Sequence, residues 1–93
     1  MTLTAITKKI KPVLKRHKIE KAAIFGSYAR NEQKQGSDLD LLIKAPKGMS
    51  LLGLVGLEED LRNKLGVDVD VVTFRSVHPL LKPYIKKDQV RIL

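Results

Sequence analysis

Three short apolar runs, Ala22–Phe25, Leu39–Ile43 and Val67–Val72, alternate along this chain with stretches that carry apolar residues at helical spacing. Runs this short, bounded by Gly, Pro, Asp and Ser, read as strands. Between and around them lie the helical patterns. Leu3, Ile6, Ile10, Val13 and Leu14 recur at three- and four-residue steps behind Thr2 as a cap, and Pro12 inside that pattern predicts a kink or a split into two short helices. Gly26-Ser27 ends the first apolar run, and Tyr28 to Glu32 is expected to form a brief helix capped by Ser27. Ser50 caps a longer helix from Leu51 to Leu65, closed by Gly66. Ser76 opens a last short helix from Pro79 to about Lys87, with Pro83 as an irregularity, and Val90–Leu93 is apolar enough for an edge strand. The order predicts an α+β (α/β) fold, a small mixed β-sheet packed with helices.

At 93 residues the expectation is one domain, residues 1–93, with a thin core. No apolar run approaches the roughly 18 residues of a membrane span, and the Lys-rich stretch from Met1 to Lys18 lacks the continuous apolar region of a secretory signal. The absence of cysteine removes disulfides, thiolate zinc sites and cysteine nucleophiles. A cytoplasmic location, with oxygen and nitrogen ligands only, is the expectation. The formal charge of +8 concentrates at the two ends, while the carboxylates fall mostly between Asp38 and Asp70. That balance attracts anions such as nucleotide, nucleic acid or an acidic protein, or simply keeps a small surface solvated. The four aromatic residues, Phe25, Tyr28, Phe74 and Tyr84, do not form the regular set of a single-strand binder.

The chemistry concentrates in Gly26-Ser27-Tyr28-Ala29-Arg30 and Ser37-Asp38-Leu39-Asp40-Leu41. Asp38 and Asp40 are two apart on an expected strand and project from one face. Two adjacent anions among leucine and isoleucine shift their pKa or recruit a cation, and an all-oxygen site suits magnesium or manganese. Asp70 on the next strand can join them around a two-metal centre. Asp68 shares its face and competes for the role, and Asp70 is preferred because Val69, Val71 and Val72 flank it. Gly26 lets a backbone approach closely, Ser27 can donate to a phosphate, and Arg30 offers a charged fork one turn on. Ser37 completes the set of nucleotide-binding candidates. A metal pair beside a phosphate cradle is what nucleotidyl transfer requires.

Each piece has a plainer role: a Gly-Ser turn is commonly only a turn, Ser37 can merely brace its loop, and an aspartate in a valine strand can guard an edge. The order of the pieces carries the signal. Gly26-Ser27-x-Ala29-Arg30 followed by Ser37-Asp38-x-Asp40-Leu41, with nine residues between Ser27 and Ser37, resembles the signature of the DNA polymerase beta-type nucleotidyltransferase superfamily. The chain's size and its Val69-Asp70-Val71-Val72 segment resemble the minimal, MNT-type branch. The resemblance implies that Asp38, Asp40 and Asp70 bind two magnesium ions, that Asp70 assists deprotonation of the acceptor hydroxyl, and that Gly26 and Ser27 hold the β- and γ-phosphates of ATP. Asn31 departs from the glycine that many relatives carry after Ala-Arg.

The same resemblance implies a partner. MNT-type proteins pair with HEPN-domain toxins, and the better-understood antitoxins transfer AMP from ATP to a tyrosine of the toxin. The chain is too short to bring an acceptor domain, so its acceptor is expected to dock from outside, against the basic N-terminal helix or the C-terminal segment. Two other readings stand beside this one: a non-enzymatic antitoxin that neutralises its partner by covering it, and nucleotidyl transfer to RNA or a small alcohol. His17 and His78 have no partner at ligand spacing and are expected at the surface or a helix end, whereas Tyr28 and Tyr84 are expected to pack.

Overall fold

The computed structural model describes residues 2–93, so Met1, the first residue of the Lys-rich stretch, lies outside it. Its elements run α1 (Leu3–Arg16), β1 (Ala22–Phe25), β2 (Leu39–Ile43), α2 (Leu51–Leu65), β3 (Val69–Thr73), α3 (Lys82–Asp88) and β4 (Val90–Arg91). The sheet order is β3-β2-β1-β4; β1 lies antiparallel to β2 and β4, and β2 parallel to β3. This is the expected mixed sheet, with α2 crossing over between the two parallel strands.

Strand alternation divides the sheet into two faces. Ala22, Ile24, Leu39, Leu41, Ile43, Val69 and Val71 join Ile6, Ile10 and Leu14 of α1 and Leu57, Leu61 and Leu65 of α2 in one core. The residues between them point the other way: Phe25 stands opposite Asp40, Asp40 opposite Asp70, Ala23 opposite Leu42, and Leu42 opposite Val72. The carboxylates therefore lie on the sheet face away from α1 and α2. Among the described residues, no helix is long and apolar enough to cross a membrane.

Several local expectations are corrected. The first helix is continuous through Pro12. Pro12 is exposed, so the Lys8 carbonyl that loses its donor can turn to water. The third strand begins at Val69, after Gly66 closes α2 in the left-handed conformation at φ 74°. The last helix begins at Lys82, with Pro83 in its first turn, where a missing N–H costs nothing. Ser76 instead closes a tight turn with Thr73, its N–H and hydroxyl bonding the Thr73 hydroxyl and carbonyl. Tyr28 packs as expected, but Tyr84 is 70% exposed.

His17 sits at the end of α1 as expected but has a tertiary partner: its Nε2 lies 2.6 Å from Asp60 Oδ2 on α2. This polar tie joins the two helices at the rim of their apolar contact. Asp60→Ala is expected to lower the unfolding free energy by about 1 kcal/mol, the upper range for a partly exposed pair. Urea denaturation checks this, and an unchanged midpoint would show that the pair is energetically idle.

Candidate active site

The site begins where β1 stops. Gly26 has φ 75°, a conformation natural to glycine, and a Cβ built there would overlap the Asp40 carboxylate, lying 3.1 Å from its Cγ. Glycine is thus required twice, by backbone and by neighbour. The segment after it is a series of turns and not the expected helix from Tyr28 to Glu32. Arg30 N–H donates to the Gly26 carbonyl at 3.2 Å and Glu32 N–H to the Ser27 carbonyl at 2.8 Å, while Asn31 at φ 58° stops helical propagation. Tyr28, buried in the core, anchors the turn from beneath. Among the described residues, no acceptor takes the N–H of Ser27, Tyr28 or Ala29. Donors for an anion therefore come from an open turn, and no helix dipole reinforces them.

Asn31 also resolves the departure noted in the sequence. The position needs positive φ, which glycine supplies freely and asparagine tolerates best among other residues.

Across from this turn, Asp40 is half-buried on β2, in register with Phe25 on one side and Asp70 on the other. Its pKa is raised, first by loss of solvation and then by the negative charges of Asp70 and Asp38; the Arg30 guanidinium opposes the rise. Asp38 precedes the strand and is exposed, as is Asp70 on β3. Asp68 is separated from the group. Its carbonyl accepts the Leu39 N–H at 2.9 Å, and its largely exposed carboxylate leans toward Arg62 of α2 at 4.0 Å. Asp70, not Asp68, thus shares the field of Asp40. Among the described residues, these carboxylates do not converge into a closed shell of three ligands. The donor set nevertheless fits a hard divalent cation: oxygens only, one half-buried carboxylate held in an unfavourable charge state, and two exposed ones free to swing toward it.

The remaining candidates are engaged differently. Ser37 Oγ accepts the Lys34 N–H at 2.9 Å and so braces its turn, the plainer of its two expected roles. Arg30 pairs with Glu32 at 3.1 Å and with Asp88 of α3 at 3.3 Å, and these hydrogen bonds, Glu32 first, raise its pKa further. The Asp88 pair ties α3 to the glycine turn. Between them lies a cavity of about 260 Å³ lined by Phe25, Gly26, Arg30, Leu81, Tyr84, Ile85 and Asp88. The sequence reading missed Leu81 and Tyr84, both exposed and both brought to the site by α3. Their only local signal is apolar bulk in a lysine-rich segment, and their position depends on tertiary structure.

A mixed sheet that presents a Gly-Ser turn and staggered aspartates on one face defines a nucleotidyltransferase of the polymerase beta class. The chain belongs to the Polymerase beta, Nucleotidyltransferase family, whose model matches residues 8–93. It is 50% identical, over the whole of both chains, to MJ0435 of Methanocaldococcus jannaschii, a candidate protein adenylyltransferase. A solved minimal nucleotidyltransferase superposes with a TM-score of 0.84 at 33% identity, covering 97% of this chain and 95% of the other. A toxin–antitoxin crystal structure with AMP-PNP superposes at 0.82 and 26% identity, covering 94% of this chain and 72% of the matched one.

Proposed function

We propose that residues 1–93 act as one minimal domain that transfers AMP from ATP to a tyrosine hydroxyl of a HEPN-type toxin, and so serve as its antitoxin. The observation that carries the reading is Asp40, seated against Gly26 and within the field of Asp38 and Asp70, in a chain of the nucleotidyltransferase family. Support for the acceptor comes from a relative classed as a candidate protein adenylyltransferase and from the likeness to a toxin–antitoxin structure holding an ATP analogue.

In this reading Asp38, Asp40 and Asp70 would hold magnesium, which when bound would offset triphosphate charge and lower the pKa of the acceptor hydroxyl. The free N–H groups after Gly26 and the Ser27 hydroxyl take the β- and γ-phosphate oxygens. Arg30 reaches the same tail after releasing Glu32 or Asp88, whose exposed pairs are individually weak. The acceptor oxygen forms a bond to the α-phosphorus, the bond to the bridging oxygen breaks, and pyrophosphate leaves with its charge held by the glycine turn. Asp70, the most accessible of the facing carboxylates on the sheet, receives the hydroxyl proton.

The test uses the purified chain, magnesium and ATP labelled on the α-phosphate, added to lysate of the native host. A labelled band that protease removes and nuclease spares is expected, and its identity names the partner. A nuclease-sensitive product would move the acceptor to RNA. Absence of any labelled product in lysate containing the partner would leave a non-enzymatic antitoxin that works by covering its target.

A further inference from the structure

At the end of the sheet remote from the aspartates, three strand termini lie side by side. Lys21 precedes β1, Lys44 follows β2, and Phe74-Arg75 follows β3; the Lys44 N–H donates to the Lys21 carbonyl and the Phe74 N–H to the Ile43 carbonyl, both at 3.0 Å. They frame a cavity of about 860 Å³, which also includes Lys47 and Met49 and has no carboxylate in its lining. Across Phe74 lies a second cavity of about 350 Å³ with Lys82 and Lys86 on its wall, again without a carboxylate. None of these six cations is paired with a carboxylate among the described residues. At strand rise, Lys44 stands about 13 Å along β2 from Asp40, so this end of the basic surface lies at the far end of the strand from the aspartates.

The loops that carry it are held in place. Met49 N–H donates to the Pro46 carbonyl at 3.0 Å, closing the turn that presents Lys47. Thr73 and Ser76 exchange five hydrogen bonds, which fix the turn bearing Phe74 and Arg75. Phe74 remains 39% exposed at the junction of the two basic cavities. The sequence offers no regular aromatic series, but the fold sets one ring where two cationic hollows meet. A charged track interrupted by an exposed aromatic face is what a single-stranded nucleic acid uses, phosphates on the cations and a base on the ring.

The geometry points to a second binding site, for single-stranded RNA or DNA, running from Lys21, Lys44, Lys47 and Arg75 across Phe74 to Lys82 and Lys86. It needs no metal, and its Lys82–Lys86 end adjoins the cavity beside Gly26, with Ile85 between the two.

The test is fluorescence polarisation with an oligouridylate of about eight nucleotides bearing no terminal phosphate, in buffer containing chelator so that the aspartate face is silent. Lys44→Glu with Arg75→Glu is expected to weaken binding at least ten-fold and to flatten the log–log salt slope by about 1.4, two phosphate contacts at about 0.7 each. Phe74→Ala is expected to weaken binding about ten-fold with the salt slope unchanged, the loss of one stacked base. Lys9→Glu with Lys15→Glu on α1, on the other side of the sheet, changes the net charge equally and is expected to cost less than three-fold. Should the glutamate pair lower the melting temperature, Lys44→Gln with Arg75→Gln replaces it. Equal losses from the two charge reversals would reduce the site to net charge and overturn the proposal. A neutral Phe74→Ala, or polyglutamate binding as tightly as the oligonucleotide, would overturn it in favour of an acidic protein partner.

Discussion

Asp40→Asn is expected to lower nucleotidyl transfer by roughly 10³-fold or more while the fold survives and, without metal, becomes slightly more stable. The two effects have one cause. Asp40 is a half-buried carboxylate facing Asp70 and near Asp38, and its pKa is raised because burial and those neighbours penalise its ionised form. A carboxyl with a raised folded-state pKa contributes its full stability below the unfolded value, about 4, and loses it as pH rises through the folded value. At neutral pH the metal-free wild type therefore carries an uncompensated charge that asparagine removes at nearly constant volume. With magnesium the ordering is expected to reverse, since a ligand that binds only the folded wild-type site raises its melting temperature by mass action. Calorimetry in chelator between about pH 4 and pH 7 should find the variant gaining on wild type as pH rises, and a magnesium titration should raise only the wild type. Transfer that persists in both Asp40→Asn and Asp38→Asn would remove the carboxylates from the chemistry.

Much of this was legible in the sequence because it depends on local periodicity. The apolar steps of α1, the Ser50 and Gly66 ends of α2 and the three apolar runs each declare themselves within about ten residues, and the sheet follows from their order. Pairing an aspartate on β2 with one on β3 needed only the guess that the strands are neighbours. What escaped depends on long-range contact. His17 meets Asp60 across 43 positions of chain, and Arg30 meets Asp88 across 58, and no window of sequence contains either pair. The turn after Gly26 was misread for another reason. Tyr28 to Glu32 has acceptable helix propensity, but burial of Tyr28 and the left-handed Asn31 override it, so the donors proposed for phosphate belong to a turn. Tyr84 was misassigned because α3 lies along the rim of the site, where a large ring is left in solvent beside the cavity at Gly26. The residues easiest to mistake were therefore those that tertiary structure brings to the active face.

Gly26→Ala is expected to damage activity and stability together, and Gly36→Ala separates the causes. Both glycines have positive φ, 75° and 87°, so an alanine at either pays the left-handed penalty of about 1–2 kcal/mol. At Gly36 the added methyl group meets nothing within 4 Å, and the backbone term is the whole cost. At Gly26 the methyl overlaps the Asp40 carboxylate, on a β-strand that is hydrogen-bonded on both edges and cannot withdraw. Asp40 must rotate away, which removes it from Phe25 and the glycine turn and breaks its alignment with Asp70. A displacement of about 1 Å at a reacting centre costs on the order of 10²-fold. Gly26→Ala should therefore lose at least that much transfer activity and melt below Gly36→Ala, which keeps most of its activity. Alanine at position 26 melting no lower than alanine at 36, with transfer intact, would mean that the carboxylate does not need its seat against the turn. The close approach of Gly26 to Asp40 would then be incidental to catalysis.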